Sequence, residues 1–195
     1  MLFQQLKTSR TKLIYNNILK KRYLHQWIPE IQEKLNSFPS VITIPVQWGQ
    51  QDTFQHLNNV DWLRFIESGR IDYMYLLTLN MDKTEANKFV TGDGAGLIVK
   101  SQECKYKHPI TYPDSLTVAT KIENLTRDRF VFYTLTYSLK HQKLASESKV
   151  LCVSYDHKKL EKSDFSESFV KAVIKMEKNP EKIHKEAMEL PIRKY

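Results

Sequence analysis

The chain has 195 residues, 41% of them hydrophobic, and a formal net charge of +8. This length suits one domain with tails, the apolar fraction is sufficient for a folded core, and no apolar run is long enough to span a bilayer. Six of the eight excess positive charges lie in residues 1–29, which contain no acid. The remainder carries only +2, which gives little support to a nucleic-acid-binding surface.

Residues 1–37 differ in composition from the rest of the chain. Apolar side chains alternate there with basic and hydroxyl residues, and the first acid is Glu30. This composition is typical of a mitochondrial targeting segment, with a solvated basic helix on the mature protein as the alternative. We therefore predict a mitochondrial protein with a targeting-like segment at 1–37, a domain at 38–160, and a C-terminal helix and charged tail at 161–195. Trp27 to Leu35 is expected to pack on the domain as a short helix.

The first strand and a turn come next. Apolar residues alternate from Val41 to Trp48, which predicts a strand with one apolar side. Pro45 has no N–H to donate, so one edge of this strand is expected to lack a partner. Gly49 then permits a sharp turn.

A long helix follows, and the rest of the chain is organised around it. Apolar residues recur at steps of three and four and form one wide face: Trp62, Phe65, Ile66, Gly69, Tyr73, Leu76 and Leu77. Four further positions widen it: Val60, Leu63, Ile71 and Met74. Such a helix needs burial on more than one side, and a curved sheet wrapped around it would provide that. Asn58 or Asn59 is expected to cap the helix, with Asp61 in its first turn.

Polar side chains crowd into the segment before this helix: Asp52, His56, Asn58 and Asn59. The free N–H groups at a helix start can donate to an oxygen that carries charge. A carboxylate beside such donors suggests hydrolysis of an acyl group, because the donors stabilise the oxyanion. Asp52 would then act as the nucleophile or as the general base, and the sequence does not separate these roles. A turn or capping role for Asp52 is the alternative.

Three runs of residues carry a resemblance to a known family: Trp48-Gly49-Gln50-Gln51-Asp52, His56-Leu57-Asn58-Asn59, and Trp62 to Arg70. Together they resemble the hotdog-fold acyl-CoA thioesterases of the 4-hydroxybenzoyl-CoA thioesterase type. Members typically have aromatic-Gly-Asp-x-Asp, then His-x-Asn-Asn, then a helix with tyrosine and glutamate. The resemblance extends from about Val41 to about Tyr155. It implies hydrolysis of an acyl-CoA thioester to free acid and CoA, with Asp52 as the catalytic carboxylate.

Further candidate residues lie around Asp52. His56 is a catalytic candidate that orients water or substrate, with a structural bond to a neighbouring loop as the alternative. Asn58 and Asn59 are first of all capping residues. We also assign Asn58 to substrate binding and Asn59 to contact with the acyl group or the leaving thiol.

Charged residues supply the remaining candidates. In some hotdog enzymes the partner subunit contributes a catalytic carboxylate from the central helix, and Glu67 fits that part. An ion pair with Arg64 or Arg70 is the alternative for Glu67. Coenzyme A would bring phosphates to the surface, and four cations near strand ends are candidate contacts: Lys105, Lys107, Arg127 and Arg129. No metal or redox cofactor is expected, and coenzyme A enters as part of the substrate.

Two positions depart from the family pattern. Gln50 stands where the first aspartate is usual, and Gln55 stands where a glycine usually precedes the histidine. Losing that glycine changes the backbone path if the position has a positive φ. These departures leave open a second function, a non-catalytic hotdog protein that binds acyl groups or assists assembly in mitochondria. RNA association is a third, which the small charge outside 1–29 disfavours.

The remaining chain predicts four more strands and a final helix. Residues 80–95 are predicted to form a polar loop, and their glycines lack the pattern of a nucleotide-binding loop. Short turns favour antiparallel pairing of strands at Leu97 to His108, Leu116 to Ile122, Phe130 to Leu139 and Leu144 to Tyr155. Ser163 to Lys178 predicts an amphipathic helix, followed by a charged tail. The predicted fold class is α+β: a hotdog fold with a curved antiparallel five-stranded sheet wrapped around the long central helix.

The long strand from Leu97 to His108 bears on the oligomeric state. A strand of this length with an unpaired edge is an aggregation hazard, which favours pairing with a second copy. The resemblance likewise implies a homodimer joined by this strand, with active sites between subunits, and a tetramer stays open. Cys104 and Cys152 lie in strand-like segments and are predicted to be free thiols without a zinc site.

Overall fold

The structure is a computed structural model that describes residues 26–177. The basic segment before Gln26 and the tail after Glu177 lie outside the described residues, so the targeting segment and the charged tail stay predictions. In chain order the helices and strands are α1 (Pro29–Asn36), β1 (Ser40–Pro45), α2 (Asn59–Thr78), α3 (Lys83–Thr91), β2 (Ala95–Tyr106), β3 (Ser115–Glu123), β4 (Arg129–Ser138), β5 (Lys143–Asp156), β6 (Glu161–Lys162) and α4 (Glu167–Met176). Within this part of the chain, no helix has the length and hydropathy needed to cross a membrane.

The strands form one antiparallel sheet in the order β1-β3-β4-β5-β2, with the two-residue β6 paired to β5. The sheet curls around the central helix α2, which packs against β1, β3 and β4. The predicted α+β fold with five antiparallel strands is confirmed, and β6 is a short addition that the sequence pattern did not indicate. β1 and β2 lie at the two edges of the sheet. For β1, this is the edge position that Pro45 predicted. Cys104 on β2 and Cys152 on β5 are free thiols.

The face of α2 that the sequence predicts as apolar is the buried one. Its seven residues between Trp62 and Leu77 are all buried. Gly69 lies at the closest approach to the sheet, because a Cβ atom there would stand 2.6 Å from Val118 Cγ1 and 2.7 Å from Thr120 Oγ1 on β3. Real Cβ contacts are essentially never that short, so the glycine lets the helix backbone rest directly on β3.

The opposite side of α2 corrects one expectation. The sequence pattern predicts burial at Val60, Leu63 and Ile71, and this is wrong for the single chain, where their exposed fractions are 61%, 42% and 64%. The sheet of a single chain covers only the side of α2 that packs against β1, β3 and β4. A stripe of apolar side chains along α2 therefore stays in contact with solvent.

The first strand is shorter than its alternating pattern predicts. β1 ends at Pro45 rather than at Trp48, and a 3₁₀ turn occupies Trp48–Gln50. Proline has no backbone N–H and cannot donate the next hydrogen bond between strands, so β1 ends at this residue. Trp48, predicted to lie on the apolar side of the strand, is instead 74% exposed.

The segment predicted as a polar loop at 80–95 contains helix α3, so that prediction is wrong. Asp82 caps the helix, since its side chain accepts from the N–H groups of Thr84 and Glu85, and Gly92 ends it with φ +70°. No residue of α3 is fully buried, so the apolar face that would reveal a helix is weak. The helix depends on its caps and on partial packing.

Helix α1 covers the outer face of the sheet, which confirms the short helix expected between Trp27 and Leu35. A buried cluster joins this segment to β3 and β4: Trp27, Ile31, Leu35, Phe38, Ala119, Leu135 and Tyr137. Gln142 fastens its start, because the Oε1 atom accepts from Ile28 N at 3.1 Å. The folded unit therefore extends back to Trp27, and the last part of the 1–37 segment packs with the domain.

A buried carboxylate joins the C-terminal helix α4 to the core. Phe169 and Val173 of α4 are buried in the same cluster as Tyr73 of α2. Glu177 follows the helix and is 7% exposed, and its Oε1 accepts from Tyr73 Oη at 2.7 Å and from Ile122 N at 2.8 Å. Burial raises the pKa of Glu177 and also that of Tyr73.

We expect wild-type stability to fall, relative to the Glu177→Gln variant, as the pH rises from about 4, near the ordinary pKa of glutamate, through the raised pKa of Glu177. Because burial raises the pKa of Glu177, the folded state favours its protonated form. That stabilisation is complete below the unfolded pKa and is lost as the pH passes the folded one. The hydrogen bonds from Ile122 and Tyr73 and the charge of Lys121 reduce the shift, whereas Glu123 adds to it.

Denaturant unfolding followed by circular dichroism at several pH values measures this difference. The other titrating groups are shared by both proteins and cancel in the comparison. Parallel stability profiles of wild type and variant would contradict the prediction.

Candidate active site

The loop between β1 and α2 is held in shape by its own polar side chains. Gln50 Oε1 accepts from Gln47 N at 2.8 Å, and Gln50 N donates to Gln47 O at 3.1 Å. Gln51 Oε1 accepts from Tyr112 N at 2.9 Å and ties the loop to the segment before β3. Gln50, the first departure from the family pattern, thus presents an acceptor oxygen that the turn uses.

A tight turn from Asp52 to His56 follows. Asp52 N donates to His56 O at 2.8 Å, and Gln55 N donates to Asp52 O at 3.0 Å. Gln55 has φ +61°, in the left-handed region that favours glycine. At the second departure, glutamine therefore adopts a conformation that glycine would take without strain, at a cost of about 1 kcal/mol.

The Asp52 carboxylate is fixed through one of its two oxygens. Oδ1 accepts from Phe54 N at 2.8 Å and from His56 N at 3.3 Å. Oδ2 has no donor within residues 26–177, and the residue is half-buried. The backbone thus orients the carboxylate and leaves one oxygen available for a substrate or a water molecule.

The start of α2 presents backbone donors beside this turn. Asn58 is the N-cap, as predicted for Asn58 or Asn59, and its Oδ1 accepts from Val60 N at 2.9 Å. Asn58 N donates to Gln50 O at 2.9 Å, which ties the helix start to the 3₁₀ turn. The N–H groups of Asn59 and Asp61 have no acceptor in the described part of the chain. They are the donors available to an oxyanion.

The other predicted catalytic residues lie at different distances from this turn. His56 and Asn59 are exposed, and both belong to the segment that joins Asp52 to α2. Glu67 lies eight residues further along the helix than Asn59, which is about 12 Å. Its carboxylate contacts Arg70 at 3.7 Å, as the ion-pair alternative predicted. Within one chain Glu67 is therefore not next to Asp52.

The four residues predicted to contact phosphate do not lie together in the folded chain. Lys105 pairs in register with Glu147 of β5, whereas Arg129 pairs with Val153, six residues or about 20 Å further along that strand. Lys107 follows Lys105 at the end of β2, near the start of α2.

The two arginines are already engaged with carboxylates. Arg129 donates to Asp128 at 2.9 and 2.5 Å, and Arg127 pairs with Asp164. In one chain, only the two lysines lie at the Asp52 end of the sheet.

Exposed aromatic side chains surround the turn, and sequence reasoning did not assign them to the site. Trp48 and Phe54 are 74% and 79% exposed on either side of Asp52. Tyr106, half-exposed at the end of β2, packs against Trp62 of α2 with ring centroids 5.7 Å apart. The signal in the sequence was the presence of two large apolar residues within a polar turn.

Comparisons with known proteins agree with this architecture. The model of the thioesterase-like superfamily matches residues 46–173, from the end of β1 into α4. The long-chain acyl-CoA thioesterase FadM of Escherichia coli strain K12 is 24% identical over 82 residues. That match covers 42% of this chain and 57% of FadM, so it spans little more than half of the relative's length.

Solved structures share the fold over most of the described chain. YbaW, a probable thioesterase from Escherichia coli, has a TM-score of 0.59 at 19% identity and covers 71% of this chain and 99% of its own. A Thermus thermophilus thioesterase complexed with coenzyme A and Zn has a TM-score of 0.59 at 19% identity, covering 72% and 95%. SAV2348 from Staphylococcus aureus, in complex with CoA, has a TM-score of 0.60 at 14% identity, covering 78% and 88%. At these identities the likeness establishes the hotdog fold.

Gln55→Gly is expected to raise the free energy of unfolding by roughly 0.5–1 kcal/mol, because glycine takes a positive φ without strain. Thr53→Gly, in the same exposed turn but without a positive φ, is the matched control and should lower it. Urea titrations of both variants measure the difference. Equal destabilisation by the two glycines would contradict a strained Gln55.

Proposed function

The chain belongs to the thioesterase-like superfamily, and from that premise we propose that it hydrolyses an acyl-CoA thioester to the free acid and coenzyme A. The observation that carries the proposal is the Asp52 carboxylate, held by Phe54 N and His56 N with its second oxygen available, beside the start of α2. Further support comes from the names of relatives. FadM is a long-chain acyl-CoA thioesterase, and two proteins of similar fold were solved with coenzyme A.

In the proposed reaction the thioester carbonyl lies between Asp52 and the first turn of α2. The N–H groups of Asn59 and Asp61 donate to the carbonyl oxygen and stabilise the negative charge that forms on it. Asp52 either attacks the carbonyl carbon, giving an anhydride that water cleaves, or removes a proton from the attacking water. In both routes the carbon–sulfur bond breaks and the thiolate of coenzyme A leaves. His56 orients the water or the substrate.

The proposed assembly is a homodimer joined through β2. One edge of this 12-residue strand has no strand partner among residues 26–177. Ile98 and Val99 are exposed on it, and Val60, Leu63 and Ile71 are exposed on α2. Pairing with a second copy satisfies the edge and covers apolar surface. It also gives Glu67 of one subunit a route to the site of the other, which a single chain does not provide.

We place the protein in mitochondria on the composition of residues 1–37, as proposed from the sequence. Its proposed partners are an acyl-CoA or acyl-carrier substrate and a second copy of itself, with no role for nucleic acid. Asp52→Asn tests the catalytic proposal directly.

Asp52→Asn should lower kcat by about 100-fold or more across a panel of acyl-CoA substrates, with a smaller change in KM. Asparagine keeps an Oδ1 acceptor for Phe54 N and His56 N, so the turn is preserved while the charge is lost. Release of coenzyme A, followed with a thiol reagent, gives both constants.

Glu33→Gln is the control, because it makes the same chemical change on the exposed side of α1 at the outer face of the sheet. It should hydrolyse the panel at the wild-type rate. An Asp52→Asn protein as active as Glu33→Gln would refute the mechanism. A wild type without activity on any acyl-CoA would favour the non-catalytic acyl-binding alternative.

Val99→Lys is expected to convert the dimer to a monomer and to abolish hydrolysis, because it places a charge on the unpaired edge of β2. Ile28→Lys, an exposed position at the outer face, is the control and should stay dimeric. Light scattering coupled to size exclusion gives the mass. A monomeric wild type, or an active monomeric variant, would rule out a site shared between subunits.

A further inference from the structure

Two histidines contact each other at the Asp52 end of the sheet. His108 follows the end of β2 and is half-buried, and His141 lies exposed in the turn between β4 and β5. Their rings meet edge to face, with the ring centroids 4.8 Å apart. His108 N also donates to Ala145 O at 3.2 Å, near the start of β5. The ring contact therefore joins the segment after β2 to the turn between β4 and β5.

The segment 108–114 begins at the first of these histidines and holds both sides of the turn that carries the candidate carboxylate. On one side of that turn, Tyr112 N donates to Gln51 Oε1 at 2.9 Å. On the other side, Leu57 N donates to Ile110 O at 2.8 Å. A displacement of this segment would therefore remove two hydrogen bonds that keep the turn in place.

Charged groups surround the two rings. Lys143 and Asp114 both face His108, so one positive and one negative charge lie beside it. Burial lowers the pKa of His108, and His141 and Lys143 lower it further, whereas Asp114 opposes them. Two more lysines are exposed next to the histidines in the chain: Lys107 and Lys140. Since histidine is mostly neutral above about pH 7, the ring contact then adds no charge of its own.

The acid in this group is fixed by other bonds. Asp114 is buried, and its Oδ1 accepts from Ser115 N at 2.6 Å and from Lys140 N at 3.0 Å. Its Oδ2 accepts from Ser138 Oγ at 2.6 Å. Because both oxygens are engaged, Asp114 offsets one positive charge and cannot shift toward the rings without breaking these bonds. With both histidines charged, the two rings and Lys143 would set three positive charges against this one negative charge.

We propose that the contact between His108 and His141 is a pH-sensitive switch, closed at neutral pH and opened by acid, that controls the position of the 108–114 segment. Below about pH 6 both rings take up a proton. Two positive charges in contact then repel each other, and Lys143 adds to the repulsion. The segment moves away from the turn between β4 and β5, and the turn around Asp52 loses its support. The effect on hydrolysis rests on the proposed function.

Titration of His108 by NMR tests the coupling between the two rings. His141→Gln should raise the pKa of His108 toward the ordinary value of 6.5, because it removes one of the charges that lower it. His157→Gln is the matched control, since the His157 ring contacts Tyr155 at the opposite end of β5. It should leave the pKa of His108 at the wild-type value. An unchanged pKa of His108 in His141→Gln would overturn the proposal.

Amide hydrogen exchange at Leu57 reports the position of the segment and requires no activity. Its protection factor, corrected for the intrinsic effect of pH, should fall by about tenfold or more between about pH 7.5 and about pH 5.5. In His141→Gln it should fall less. The amide of Phe165, which donates to Arg127 O at the opposite end of the sheet, is the internal control and should keep its protection. Equal protection of Leu57 at the two pH values would overturn the switch.

The pH profile of hydrolysis tests the consequence for the site. In the wild type, kcat/KM for an acyl-CoA should fall below about pH 6.5 with the uptake of two protons, and in His141→Gln the fall should begin at lower pH. His157→Gln should keep the wild-type profile. Identical acid limbs in wild type and His141→Gln would overturn the proposal. A wild type that hydrolyses no acyl-CoA would refute the proposed function alone, because the exchange of Leu57 decides on the switch.

Discussion

The contact between the backbone of α2 at Gly69 and strand β3 is the constraint on which the rest of the structure depends. With no Cβ at this position, the helix lies directly on Val118 and Thr120. A close, flat contact lets the sheet curl around the helix and bury its apolar face between Trp62 and Leu77. It also fixes the positions of the two ends of α2, with the polar turn around Asp52 at one end and α3 at the other.

Helices of the same chain cover some apolar surfaces of the domain and leave others exposed. The outer face of the sheet is covered by α1, and one end of the core is closed by α4 through the buried hydrogen bond between Glu177 and Tyr73. Exposed apolar side chains include those on the edge strand β2, on one side of α2 and around Asp52. A second copy that pairs with β2, as proposed above, would cover the apolar side chains on this strand. The dimer contact proposed at β2 and the site proposed at Asp52 both use exposed surfaces of this kind.

The turn around Asp52 keeps its shape although Gln50 and Gln55 replace the aspartate and the glycine that are usual in the family. Gln50 supplies an acceptor oxygen to the 3₁₀ turn, a task that an amide performs without a charge. Gln55 holds a positive φ at a small energetic cost. Both substitutions affect how the loop is held, and neither removes the Asp52 carboxylate or the donors at the start of α2. The structure thus supports retention of the chemistry more strongly than the sequence pattern alone.

The sequence by itself determined the elements whose signals are local. The 3.6-residue period predicted the buried face of α2, and alternation predicted the five main strands. Capping chemistry limited the N-cap of α2 to Asn58 or Asn59, and the structure shows that it is Asn58. Helix α3 was missed because no residue in it is fully buried, and the buried pair of Glu177 and Tyr73 was missed because 104 residues separate its members. Only the tertiary structure decided which side of α2 stays exposed and that the candidate cations do not converge. They depend on the order of the strands and on how much of α2 one sheet can cover. Both arise from contacts between residues that are distant in the chain, so neither appears as a periodic pattern in the sequence.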